Sequence, residues 1–189
     1  MRGSAKAGLA LDRTAGHVEH TTVKGAGNVG IRAIESTGLS ITSNLIADCR
    51  NGGILVWRWT EGDDGTLVTG NRIERIAAAN GGDGDGISVF RAHSVMVAGN
   101  RVTGCASAAV RARSADMILI TGNACSGAGE AGIVIESGFA GALVTNNIVD
   151  RCPAGISVGG GEHDRTVAVV ANNMVRDQSG PAKVARNSE

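Results

Sequence analysis

The 189-residue sequence is poor in three things that most folds rely on: aromatic rings, proline and leucine. There are two Trp, two Phe and no Tyr, two Pro, and 8 Leu against 14 Ile and 19 Val. The shortage of Leu beside so many β-branched residues argues against a helical bundle, whose interior favours Leu. It also excludes a leucine-rich repeat, which needs a Leu at several positions of every unit. Gly is abundant, at 29 residues, but the near-absence of Pro and of a strict three-residue period excludes collagen. Net charge is lacking too: 18 Lys and Arg balance 18 Asp and Glu. A balanced chain has no general electrostatic pull toward nucleic acid or an anionic membrane. No apolar run approaches the roughly 18 residues of a membrane span, and the first residues, Met1 to Lys6, carry no signal-peptide apolar core. At 42% hydrophobic and 19% charged residues, the chain can still bury a core, and its length suits one domain over 1–189.

What is present is a repeat. A small residue followed by an aliphatic one opens an alternating stretch at Leu9, Ile31, Ile54, Ile87, Val110, Ile133 and Ile156. The intervals are 22, 23, 33, 23, 23 and 23 residues. A second column follows about 13 residues later in the regular units: Asn44, Asn71, Asn100, Asn123, Asn147 and Asn173. Each of these Asn has a β-branched residue three positions before it, from Ile41 to Val170; Thr21 holds the equivalent place in the first unit. A period near 23 with short strands and Gly or Asn at the corners predicts an all-β, single-stranded right-handed parallel β-helix of about seven coils. The final segment, 178–189, reads as a tail. Successive coils stack about 4.8 Å apart, so the Ile/Val columns fill the interior and the Asn column stacks its amides at a bend.

The four cysteines fit this frame. Cys49, Cys105 and Cys152 each lie five residues after a repeat Asn in coils two apart. That places their α-carbons about 10 Å apart, beyond disulfide reach. Cys125 takes a column held elsewhere by Ile or Val. All four read as buried apolar fillers.

The 33-residue interval holds two insertions, one around Trp59–Gly65 and one around Asn80–Gly86, expected as loops flanking one sheet from opposite sides. A third, Gly159–Arg165, sits in the last coil. Trp57, Trp59 and Phe90 share one outward face, followed by Arg111 and Arg113. Two readings of that face stay open. In one, the rings and the Arg91, Arg111 and Arg113 donors form a groove for an acidic polysaccharide. In the other, the rings cover the sheet and Arg113 pairs with Glu136. Asp63, Asp64, Asp83 and Asp85 on the loops are candidate ligands for a Ca²⁺ ion bridging to such a sugar chain, against a solvated-loop reading. His163 beside Asp164 is a candidate dyad. No catalytic set stands out among the residues.

Gly53–Arg58, Glu61–Ile73 and Gly86–Arg91, with Ser107–Arg111 and Gly155–Val158, resemble the twin-arginine-translocated repetitive proteins, bacterial right-handed β-helix proteins of uncharacterised function. The resemblance runs from about Gly30 to Asp177. It implies export in a folded state to the periplasm or beyond. The chain carries no twin-arginine signal of its own, so it is read as a mature form or a fragment. Two functions are therefore expected for test: a glycan-binding or scaffold protein of the cell envelope, or a lyase, epimerase or hydrolase of an acidic polysaccharide. Open strand edges at the coil ends point to end-to-end self-association or to flanking coils.

Overall fold

A computed structural model describes residues 6–79, 81–159 and 166–180. Among the described residues every regular element is a β-strand, all pairing is parallel, and no helix is long and apolar enough to cross a membrane. Three sheets of seven strands face one another around the chain axis. The first sheet is built from Leu9–Asp12, Val29–Ile34, Gly52–Asp63, Asp85–His93, Ala108–Arg113, Ala131–Glu136 and Ala154–Val158, in that order. The second runs from Gly16–Glu19 to Ala168–Ala171, and the third from Thr22–Lys24 to Met174–Arg176. Each coil gives one strand to each sheet, so the chain is a β-solenoid of about seven turns.

The expected register is observed. Ile31 pairs with Ile54, Ile54 with Ile87, Ile87 with Val110, Val110 with Ile133, and Ile133 with Ile156. The side chains from Ile31 to Ile156 in this column are buried, and the second sheet adds Ile41, Val68, Val97, Ile120 and Val144. All four cysteines are free and buried, as fillers. Burial pushes the Cys105 thiol up to about 12 and raises the other three as well.

The corners explain the Gly and Asn content. The residue before each ladder Asn has a left-handed backbone: Ser43, Gly70, Gly99, Gly122, Asn146 and Asn172. Only Gly adopts that conformation freely, with Asn the next most tolerant. At the bend itself the backbone N–H and the Nδ2 of Asn71 both donate to Oδ1 of Asn100, and Nδ2 also donates to the Val68-equivalent carbonyl one coil earlier, Ile41 O. The same three bonds recur at Asn44, Asn100, Asn123 and Asn147. Buried carboxamides are thus satisfied only by the coils on either side, which fixes the stacking.

One expectation is corrected. The segment Trp59–Asp63 is no loop. The strand Gly52–Asp63 runs on for 12 residues and pairs with Asp85–His93 through a bulge: Trp57 faces Phe90, then Gly62 faces Ala92. The reason lies at the corner. Arg13, Glu35, Arg91, Ser114 and Ser137 all turn left-handed four residues after their inward aliphatic, while Arg58, at the same place, does not. The chain therefore continues extended, and Arg58–Glu61 is pushed out as the bulge.

Candidate functional site

The outward face of the first sheet alternates with the buried column. Coil by coil its two outward columns are Arg32, Leu55, Ser88, Arg111, Val134 and Ser157, and Ile34, Trp57, Phe90, Arg113 and Glu136. The structure brings Trp57, Trp59 and Phe90 together. The Trp57 and Trp59 rings lie 4.5 Å apart, tilted by 47°, and Phe90 meets Trp57 edge-on at 6.1 Å. The platform is stepped rather than flat. Arg91 stacks over Phe90 at 4.8 Å and donates to the Trp59 carbonyl at 2.7 Å, so the cation closes off one ring while fixing the bulge. The Trp59 amide donates to Glu35. Trp59 is left 57% exposed, the open ring of the group. The fourth aromatic, Phe139, is buried in the core.

Sequence reasoning missed the underside of this cluster. Arg58 lies 3.6 Å from Glu35 and 4.0 Å from Asp64. Asp64 is buried and accepts from the Thr66 amide. Burial raises its pKa, against the hydrogen bonds from Thr66 and the charge of Arg58. The Trp57 indole N–H and the Arg58 Nε and Nη1 are buried without hydrogen-bond partners.

One placement differs from expectation, and another follows the covered-sheet reading. Arg111 is not offered to solvent: it is 3% exposed. Its Nε donates to both Asp85 oxygens (3.1 and 3.2 Å), its Nη1 to Glu136 (2.9 Å), and its Nη2 to Ser107 (2.9 Å) and Glu130. A guanidinium with every face committed cannot also fork onto a ligand carboxylate. Arg113, half-buried, is held by Glu136 (2.6 Å) and Asp83 (2.8 Å). Burial of Asp85 raises its pKa despite Arg111 beside it. Glu136 is held low: burial opposes this, and the bonds from Arg113 and Arg111 outweigh it.

The four aspartates do not converge either. Asp63 pairs with His93 at one end of the Asp85–His93 strand and Asp85 begins the other end, eight residue steps or roughly 26 Å away. One cation cannot bridge both pairs. Among the described residues no group of three or more His, Cys, Asp or Glu side chains is placed to hold a metal ion. The His163–Asp164 pair lies outside the described residues.

Two clefts open on this face. The first, about 300 Å³, is lined by Asn28, Asn51, Leu55, Asp83, Asp85 and Ser88 among others. It is shaped by the segment 81–84 folding back, with Asn51 accepting from the Ala79 and Gly84 amides. The second, about 350 Å³, lies beyond Arg111, against Glu130, Val134, Glu136, Pro153 and Ser157.

Known structures share this architecture. The A-module of the mannuronan C-5 epimerase AlgE4 of Azotobacter vinelandii aligns with 95% of this chain and 56% of its own, at 13% identity and a TM-score of 0.68. A double mutant of the periplasmic alginate epimerase AlgG aligns with 90% of this chain and 48% of its own, at 16% identity and a TM-score of 0.58. The Dettilon tailspike protein aligns over 87% and 41%, at 18% identity and a TM-score of 0.58. The chain spans about half the length of these structures, and at such identities the likeness is one of fold. A search of curated proteins finds no sequence match. Residues 7–175 match the right-handed β-helix region, and with the coil register described above the chain belongs to that family.

Proposed function

We propose that this chain is an exported polysaccharide-binding β-helix of the bacterial cell envelope, with the sugar chain lying on the outward face of the first sheet. One observation carries the reading: three of the four aromatic side chains meet on that face, and the Trp59 ring stands open beside Trp57. An exposed indole held in place by a fixed bulge is a stacking surface for the apolar face of a sugar ring. The first cleft, which reaches Leu55 and Ser88 two residues along the strands from Trp57 and Phe90, offers Asn, Ser and carboxylate groups to hydroxyls. Export is supported by the resemblance to the twin-arginine-translocated repetitive proteins, and by fold neighbours whose names include a periplasmic epimerase.

Titration calorimetry with a panel of neutral, acidic and amino-sugar oligosaccharides tests it. Trp59→Ala is expected to weaken binding by up to about tenfold, the worth of one stacked ring. Binding indifferent to Trp59, or no binding of any glycan, overturns the proposal.

The enzymatic alternative, an epimerase, lyase or hydrolase, draws on the epimerase names among the fold neighbours. Its residue-level support is Asp85, a buried carboxyl with raised pKa at the floor of the first cleft. Appearance of unsaturated or C-5-inverted sugar product, followed by ultraviolet absorbance and proton NMR, separates that reading from binding alone.

A further inference from the structure

The strands of the first sheet carry five arginines, and four of them are committed. Arg111 and Arg113 are ion-paired with Asp83, Asp85, Glu130 and Glu136. Arg91 covers Phe90 and donates to the Trp59 carbonyl. Arg58 keeps buried nitrogens without hydrogen bonds, yet Glu35 and Asp64 oppose its charge from 3.6 and 4.0 Å. Arg32 is the fifth, and it differs. Among the described residues no carboxylate is ion-paired with it and no oxygen accepts from it. Its cross-strand neighbours, Ala10 and Leu55, have no acceptor in their side chains, and neither has Ile34 two residues along. The Arg32 Nε is nonetheless buried. Only Nε of its three nitrogens is so placed, and the side chain as a whole is half-buried. The stem is thus held down on apolar surface while the Nη1 and Nη2 edge reaches water. A cation drawn part-way out of water with nothing to oppose it costs stability, and a buried polar atom without an acceptor is rare enough to need a reason.

We infer that Arg32 is the anion-binding residue of this face, and that it takes a carboxylate or sulfate carried by a sugar neighbouring the one stacked at Trp59. The inference rests on the glycan reading above and names the charge of its ligand and the residue that reads it. The placement suits both contacts at once. Arg32 pairs with Leu55, which lines the first cleft, and Ile34 pairs with Trp57. Arg32 therefore lies one strand spacing and two residues from Trp57, about 8 Å between α-carbons. A guanidinium edge offers two parallel N–H groups to two oxygens of one anion. Here the edge belongs to a side chain whose stem is already fixed, so less freedom is lost when the anion arrives. The free protein carries the cost of an unopposed charge and the complex removes it, the trade of stability for function that binding sites make. Arg111 and Arg113, closed in by carboxylates, do not touch the sugar.

The test joins stability to affinity. Without ligand, Arg32→Gln is expected to leave the thermal midpoint unchanged or to raise it, because it removes an unopposed charge; a clear fall would give Arg32 a structural role and overturn the inference. Calorimetric affinity is then measured for three probes: a hexameric uronate, the same hexamer with its carboxylates reduced to alcohols, and the O-sulfated form of that reduced hexamer. The uronate or the sulfated probe is expected to bind about tenfold more tightly than the reduced hexamer, by a margin that shrinks as salt is raised; the tighter of the two names the anion. Arg32→Gln is expected to erase that margin while changing the affinity of the reduced hexamer by less than about twofold. Arg32→Lys, which keeps the charge and loses the fork, is expected to keep part of it. No preference for an anionic probe, or a preference that survives Arg32→Gln, overturns the inference; Trp59-dependent binding of the reduced hexamer in that case leaves the glycan reading standing. Binding of none of the three overturns both.

Discussion

The coils from Ala108 to Asp150 and the pair of coils from Gly52 to Cys105 are built from the same columns, yet they do different work. The first stretch repeats every 23 or 24 residues, turns left-handed at each corner and buries its inward side chains almost completely. The second carries a 12-residue strand, a four-residue bulge and a folded-back segment, and it holds all three outward aromatic rings and the first cleft. Regular coils stabilise one another through identical neighbours. Departures from the period are where the chain spends residues on a surface instead. The contrast teaches that in a solenoid a candidate site is found by asking which coil fails to match its neighbours, and that the failure is held in place by intact coils on both sides.

That contrast predicts a ranked set of outcomes. Ile133→Ala, in the regular stretch, removes a fully buried side chain stacked between Val110 and Ile156. It is expected to cost about 2–5 kcal/mol in urea unfolding. Asn100→Ala leaves the Asn71 amide and side chain without their acceptor. It is expected to cost about 1–3 kcal/mol, since a buried donor loses its partner. Trp59→Ala, on the bulge, is expected to change stability by less than about 1 kcal/mol while altering glycan binding; a large loss of stability would show the ring to be a structural cover. Asp64→Asn reads the smallest effect, through pH. The folded pKa of Asp64 is raised, so the native state holds this proton more tightly than the unfolded chain. Its contribution to stability therefore falls as pH rises from the ordinary carboxylate range through the raised value. The Asn variant is expected to lack that fall in a series of thermal melts across pH, and a wild type whose profile matches the variant's would contradict the burial assigned to Asp64.

The sequence allowed the solenoid to be read because stacking forces one position of every coil into one environment. Ile at 31, 54, 87, 133 and 156, and the six Asn, are repeated solutions to a repeated problem. The site was legible only where it obeyed the same rule. Trp57 and Phe90 sit in an outward column and were placed correctly on one face. Trp59 shares that face and meets Trp57 there, as its parity implies; only the loop reading of its segment fails, because nothing in Trp57–Asp63 announces that Arg58 will not turn left-handed. Arg111 was misjudged for a different reason. Outward parity suggests exposure, but Ser88 and Val134 beside it are small, and Asp85 from one neighbouring coil and Glu130 and Glu136 from the other close over the guanidinium. That burial depends on side-chain reach across coils, which a period count does not contain. The partnership of Arg113 with Glu136 was visible, since the two are paired directly in adjacent strands.

The asparagine column has an electrical consequence. Backbone hydrogen bonds between parallel strands point alternately up and down the axis, and their dipoles nearly cancel. The carboxamides do not alternate: from Asn44 through Asn147 every one donates to the Oδ1 of the next coil. Six aligned amides, from Asn44 to Asn173, therefore add head to tail over roughly 24 Å, as peptide units do in an α-helix. The acceptor end is met by the Thr21 amide, and the donor end lies at Asn173. A molecule with no net charge and an almost apolar core thus carries a polar axis through its interior, giving a structure of repeated, near-equivalent coils a distinguishable top and bottom.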